Sequence, residues 1–225
     1  MRPGRLKFFR GCGLSILTGF VLLGSTAAFG QAAADPWPIL PGGEKGSINV
    51  HTTRRDLVRM YGAANVVDRD ISLGEGETAP GTVIFPKDPQ RAMEIVWKDP
   101  DKEAEPDSLT IRGCSSRWRT LHNVSLGASL KELEKLNGQQ FHLAGFDWDY
   151  SGTITSWDNG ALAAEFNGKH GRVIFRFSCS GAPTTEDEQS QVMGDRDFSS
   201  SHPVMQKINP GVGEIVWLFG PQSAP

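Results

Sequence analysis

The sequence predicts an α+β protein made of two tandem repeats, each a short helix followed by an antiparallel β-meander. Three observations carry that prediction. First, Val124 to Gly138, VSLGASLKELEKLNG, aligns without a gap on Ile48 to Gly62, INVHTTRRDLVRMYG, so that Thr53 falls on Ser129, Asp56 on Glu132, Leu57 on Leu133, Met60 on Leu136 and Gly62 on Gly138. Second, turn-punctuated β-forming runs follow both copies. Third, a cysteine stands two residues beyond the last run of each, Cys114 and Cys179.

Each matched position in the helical stretches has a physical role. Thr53 and Ser129 are N-cap residues whose hydroxyls accept from free backbone N–H groups, and the acid three residues on, Asp56 or Glu132, completes a capping box. The leucines form a short apolar stripe, and the glycine ends the helix in a left-handed conformation. Extended segments follow at Asn65 to Ile71 and Gln140 to Phe146, with Gly-Thr-aliphatic recurring at Gly81-Thr82-Val83 and Gly152-Thr153-Ile154. Hairpins turn at Lys87-Asp88-Pro89 and at Asp158-Asn159-Gly160, where Asn-Gly is a strong turn signal. Closing strands run from Ser108 to Arg112 and from Arg172 to Phe177.

Residues 1–30 read as a secretory signal peptide. Arg2, Arg5, Lys7 and Arg10 precede an apolar run from Leu14 to Leu23, which is shorter than the ~20 residues needed to span a bilayer, and small residues follow at Ala27, Ala28 and Gly30. Residues 31–46 form a flexible Pro- and Gly-rich leader, 47–114 the first repeat, 115–180 the second, and 181–225 a C-terminal extension. In that extension Thr185 and Glu188 have capping-box spacing, and Glu214 to Phe219, EIVWLF, reads as a buried terminal strand.

Export sets the redox compartment. Outside the cytoplasm two cysteines are expected to pair, so a Cys114–Cys179 disulfide is predicted, contributing roughly 2–4 kcal/mol by closing a long loop. The first 30 residues hold four of the 23 Lys and Arg and none of the 26 Asp and Glu, which leaves 19 basic against 26 acidic groups, a net −7. Nucleic acid is therefore excluded as a partner class, and the chain beyond residue 30 has no candidate membrane span. The expected location is the periplasm or the exterior.

The capped pattern Gly127-x-Ser129-x-x-Glu132-Leu133-x-x-Leu136-Asn137-Gly138, and its weaker copy Thr53-x-x-Asp56-Leu57-x-x-Met60-Tyr61-Gly62, resembles the tandem repeats of the β-lactamase inhibitor protein family and the single repeat of BamE-like outer-membrane assembly lipoproteins. The likeness covers about fifteen residues per repeat. It implies a protein-binding role, as an inhibitor or an envelope accessory. The chain departs from those families by reading as strand where they carry a second helix, and by placing His51 where the other copy has Gly127.

The segment Phe146 to Asp158, FDWDYSGTITSWD, holds the candidate chemistry. Trp148, Tyr150 and Trp157 read either as an exposed aromatic platform for a partner protein or a glycan, or as core residues. Asp147, Asp149, Ser151, Gly152 and Asp158 occupy positions one, three, five, six and twelve of a calcium-loop pattern, but with Asp in place of the final Glu and with strand-like flanks. On one strand, Asp147 and Asp149 would share a face about 6.5–7 Å apart, a spacing open to acid–base work on a glycan. The five histidines have no short ligand spacing and no Gly-x-Ser-x-Gly elbow occurs, so no metal, cofactor or catalytic residue is assigned. The expected activity is binding through a sheet groove, with a calcium-dependent or carboxylate-based glycan-acting enzyme as the alternative.

Overall fold

The computed structural model describes residues 37–38, 48–120, 122–168 and 171–220. The predicted signal peptide and most of the predicted leader lie outside these residues. Helices and antiparallel sheets are both present, as the α+β class requires.

In chain order the elements are β1 (Trp37–Pro38), α1 (Arg54–Tyr61), a 3₁₀ turn (Ala63–Asn65), β2 (Val66–Gly74), β3 (Glu77–Ile84), β4 (Met93–Asp99), β5 (Ala104–Arg112), β6 (Trp118–Arg119), α2 (Leu130–Asn137), β7 (His142–Ala144), β8 (Ile154–Ser156), α3 (Ala163–Phe166), β9 (Asn167–Gly168), β10 (Gly171–Cys179), α4 (Glu186–Ser190), β11 (Asp197–Ser199), α5 (Pro203–Ile208) and β12 (Gly211–Phe219). β1 pairs in parallel with β6, which ties the predicted leader to the chain at that point. Seven strands form an antiparallel sheet in the order β2-β3-β4-β5-β12-β10-β9, and three form a smaller antiparallel sheet, β11-β7-β8.

Both matched helices form as their caps dictate. Thr53 and Ser129 each accept from the backbone of the acid three residues on, and Asp56 and Glu132 each accept from the cap backbone N–H, at 2.9 and 2.7 Å. Leu57 and Leu133 are fully buried, while their companions Met60 and Leu136 are both exposed. Gly138 takes the left-handed cap conformation that was expected. Gly62 does not: at φ 83° and ψ 143° it sends the chain into the 3₁₀ turn instead.

Past the helices the two segments diverge. The first continues into the meander β2-β3-β4-β5. The second enters the small sheet through β7 and β8, and its Asp158-Asn159-Gly160 turn has left-handed φ at both Asp158 and Asn159 but leads to α3 rather than to a strand. The buried Asn137 explains the detour. Its amide donates to the Trp157 carbonyl at 3.0 Å, its carbonyl accepts from the Leu162 N–H at 3.2 Å, and a Cβ at Gly160 would collide with it. In the first copy this position is Tyr61.

The terminal strand also sits elsewhere than an extension would. β12 inserts between β5 and β10, at the middle of the large sheet, with Trp217 opposite Leu109 on one side and Val173 on the other. The Cys114–Cys179 disulfide forms as predicted, Cα to Cα 5.7 Å, joining the ends of the two strands that flank β12. Gly211 and Gly213 let β12 approach that end of β10 closely: a Cβ at Gly211 would press on the Cys179 side chain, and one at Gly213 would strike the Ser178 side chain.

One phase of the large sheet builds the core. Ile84, Ile95, Leu109, Ile111, Ile215, Trp217, Val173 and Phe175 share a single hydrophobic cluster with Leu57, Leu130, Leu133 and Met205 of the helices, so the helices cover one face. Among the described residues no helix is long and apolar enough to cross a membrane.

Candidate functional site

The segment that reads as a strand from Phe146 to Tyr150 is a turn. β7 ends at Ala144, Phe146 makes a single parallel bridge to Met193, and residues 147–152 loop outward before Thr153 bridges antiparallel to Arg176 on β10. The cause is local backbone chemistry. Asp147 and Gly152 take left-handed φ of 59° and 67°, the Asp147 N–H donates to Ser151 Oγ at 3.2 Å, and the Ser151 N–H donates to the Trp148 carbonyl at 3.0 Å. Gly152 then lies against the Phe177 carbonyl, where a Cβ would clash, and its own carbonyl accepts from the Phe177 N–H at 2.9 Å.

This geometry divides the predicted aromatic platform. Trp148 and Tyr150, at the loop tip, are 59% and 70% exposed. Trp157 is 5% exposed and belongs to the core, tilted on Phe141 at 5.3 Å and edge-on to Phe175 at 5.7 Å. The platform is therefore Trp148 and Tyr150, with the half-buried Phe146 at its root. Trp157 is withdrawn from it because its neighbour Asp158 begins the turn locked by Asn137, which directs the indole inward.

The acids are also separated by environment. Asp147 and Asp149 both stand exposed on the turn, so the same-face spacing of an extended strand does not apply. Asp158 is engaged elsewhere: Ser156 Oγ donates to it at 2.8 Å and His142 Nδ1 lies 3.0 Å from it, contacts that hold its carboxyl below the ordinary range, Ser156 contributing most. Among the described residues, no three His, Cys, Asp or Glu side chains converge as metal ligands, so the calcium-loop spacing is not gathered into a donor set.

Beside the loop lies a cavity of about 600 Å³, lined by Phe146, Asp147, Ser151, Arg176 and Met193 and by the chain from Ser178 to Thr184 that passes the disulfide. Its walls combine an apolar floor, an acid and an arginine, which suits an amphipathic side chain from a partner. Arg176 belongs to two surfaces at once. It lines this cavity, and it also projects from the face of the large sheet opposite the core, in line with Glu214 and Arg112.

That second face was missed as a site. It was legible in the alternation of Arg172, Ile174 and Arg176 with Val173, Phe175 and Phe177, and in the alternation of Glu214, Val216 and Leu218 inside a strand that reads as wholly buried. The chain matches no protein-family profile, no curated protein and no solved structure.

Proposed function

We propose that this chain is an exported binding module that engages an envelope or extracellular protein through the 147–152 loop, the cavity beside it and the adjoining sheet face. The carrying observation is that Trp148 and Tyr150 stand 59% and 70% exposed on a hydrogen-bonded turn whose Asp147 and Ser151 line that cavity. Large aromatics held rigidly in solvent lose little conformational entropy on binding and bury much apolar area, which is why they dominate binding energetics at interfaces. The disulfide fits an oxidising compartment, and the charged leader and apolar run of residues 1–30 supply the export signal. The tandem-repeat ancestry and the likeness to inhibitor and assembly-lipoprotein repeats rest on the matched capped helices and agree with a protein partner.

The test is an affinity capture in which the oxidised chain from Asp35 onward is bait for an envelope extract. One protein recovered in near-equal amount by the wild type, and lost by Trp148→Ala and Tyr150→Ala baits of unchanged circular dichroism, is the expected result. Equal recovery by those variants, or no partner for a folded bait, contradicts it.

A further inference from the structure

The face of the seven-stranded sheet opposite the core carries three outward rungs. One runs Arg69, Gly81, Val96, Ser108, Leu218, Arg172 from β2 to β10; the next runs Val67, Val83, Glu94, Thr110, Val216, Ile174; the third holds Arg112, Glu214 and Arg176. None of their apolar members belongs to the hydrophobic core cluster. Four arginines and two glutamates lie on these rungs, a net +2 on a chain whose total is −3. The glutamates are already committed. Arg112 pairs with both Glu94 and Glu214, and Arg176 approaches Glu214 at 3.8 Å.

Arg69 and Arg172 differ from that pair of arginines. Neither forms an ion pair among the described residues, and they terminate the same rung with Gly81, Val96, Ser108 and Leu218 between them. Five strand spacings of about 4.8 Å put them roughly 24 Å apart, the reach of about seven residues of extended chain. All four rung cations are arginine, the cation enriched at protein interfaces and able to grip a carboxylate bidentately, whereas lysine is depleted there.

Resting on the binding-module reading, we infer that this face receives an acidic partner protein, through a segment that places two carboxylates on Arg69 and Arg172 and lays apolar side chains over Val96 and Leu218. A polyanionic glycan is the less suitable occupant, because the space between the terminal arginines is apolar rather than cationic. Complementary charge would also speed association with such a partner at low salt.

The probe is a nine-residue peptide with glutamate at its first and last positions, so that both point to one face of an extended chain, and with serine and valine alternating between them so that the valines share that face, titrated into the ¹⁵N-labelled oxidised chain and followed by NMR. A lysine-for-glutamate version and a sulfated oligosaccharide are compared. Shifts confined to the outward rungs of β2, β3, β4, β5, β12 and β10 are expected, with the glutamate peptide binding about tenfold tighter than the lysine version and the preference abolished in Arg69→Gln/Arg172→Gln. Equal binding of the two peptides, retained binding by the double variant, or binding of the oligosaccharide alone overturns the inference. Failure of the module reading is distinguishable, because the captured partner then depends on none of Trp148, Tyr150, Arg69 and Arg172. A partner that depends on Trp148 but not on the arginines leaves the module reading standing and removes only the acidic partner.

Discussion

The two helix-led segments begin alike and end differently. Both open on a capping box, bury the leucine four residues past the cap completely and expose the apolar residue three positions further on. The first then becomes a four-stranded meander, whereas the second bends into a small sheet, throws out the 147–152 loop and rejoins the large sheet at β9 and β10. The difference teaches where the proposed binding surface comes from in this fold. The regular segment supplies rigid sheet, and the irregular one supplies an exposed turn fixed by hydrogen bonds at its edge.

Severing the link between the segments has the largest expected effect. The disulfide spans 65 residues, and Cys114→Ser/Cys179→Ser should lose about 4 kcal/mol in urea unfolding, with the wild type falling to the level of the variant once reductant is added. A loss below about 1 kcal/mol would mean that the strand contacts alone hold the segments together. Next come the two leucines. Because Leu57 and Leu133 are equally buried, Leu57→Ala and Leu133→Ala should each cost about 3 kcal/mol, and a twofold disparity between them would break the equivalence of the helices.

Smaller effects probe the caps. Thr53→Ala and Ser129→Ala should each lose about 1 kcal/mol. The capping acids add a shared pH signature: hydrogen bonds from Thr53 and Ser129 hold Asp56 and Glu132 below their ordinary values. A carboxyl depressed in the folded state contributes stability above its unfolded pKa, near 4, and loses it as pH falls through the folded value. Thermal melts from pH 6 to pH 2 should therefore show a destabilisation below about pH 4 that Asp56→Asn and Glu132→Gln each reduce in part.

Much of this architecture was legible because it is local. Caps, the Thr185 to Glu188 box, the closing strands within β5 and β10, and the partnership of two cysteines at equivalent strand ends all follow from neighbouring residues. The rest depended on non-local pairing. Nothing in EIVWLF says that it inserts between β5 and β10 rather than at an edge, and both placements ask for the same apolar residues. The site was half legible for a similar reason. Phe146 to Tyr150 alternates as a strand does, but Gly152 must pack on the Phe177 carbonyl, so the segment turns and leaves Trp148 and Tyr150 outside. Trp157 shares their chemistry, but the Asn137-anchored turn after it places it in the core.

The smallest stability effect belongs to the loop itself, where Trp148→Ala should change unfolding by no more than about 0.5 kcal/mol because the indole touches solvent rather than core. Hydrogen–deuterium exchange on the oxidised chain, alone and with any partner it captures, tests the proposed binding role of that loop most directly. Added protection at residues 146–153 and along β10, with the 86–92 turn of the first segment unchanged, is the expected footprint. Protection at 86–92 with the 146–153 loop unaltered would contradict it and move the binding surface to the regular segment.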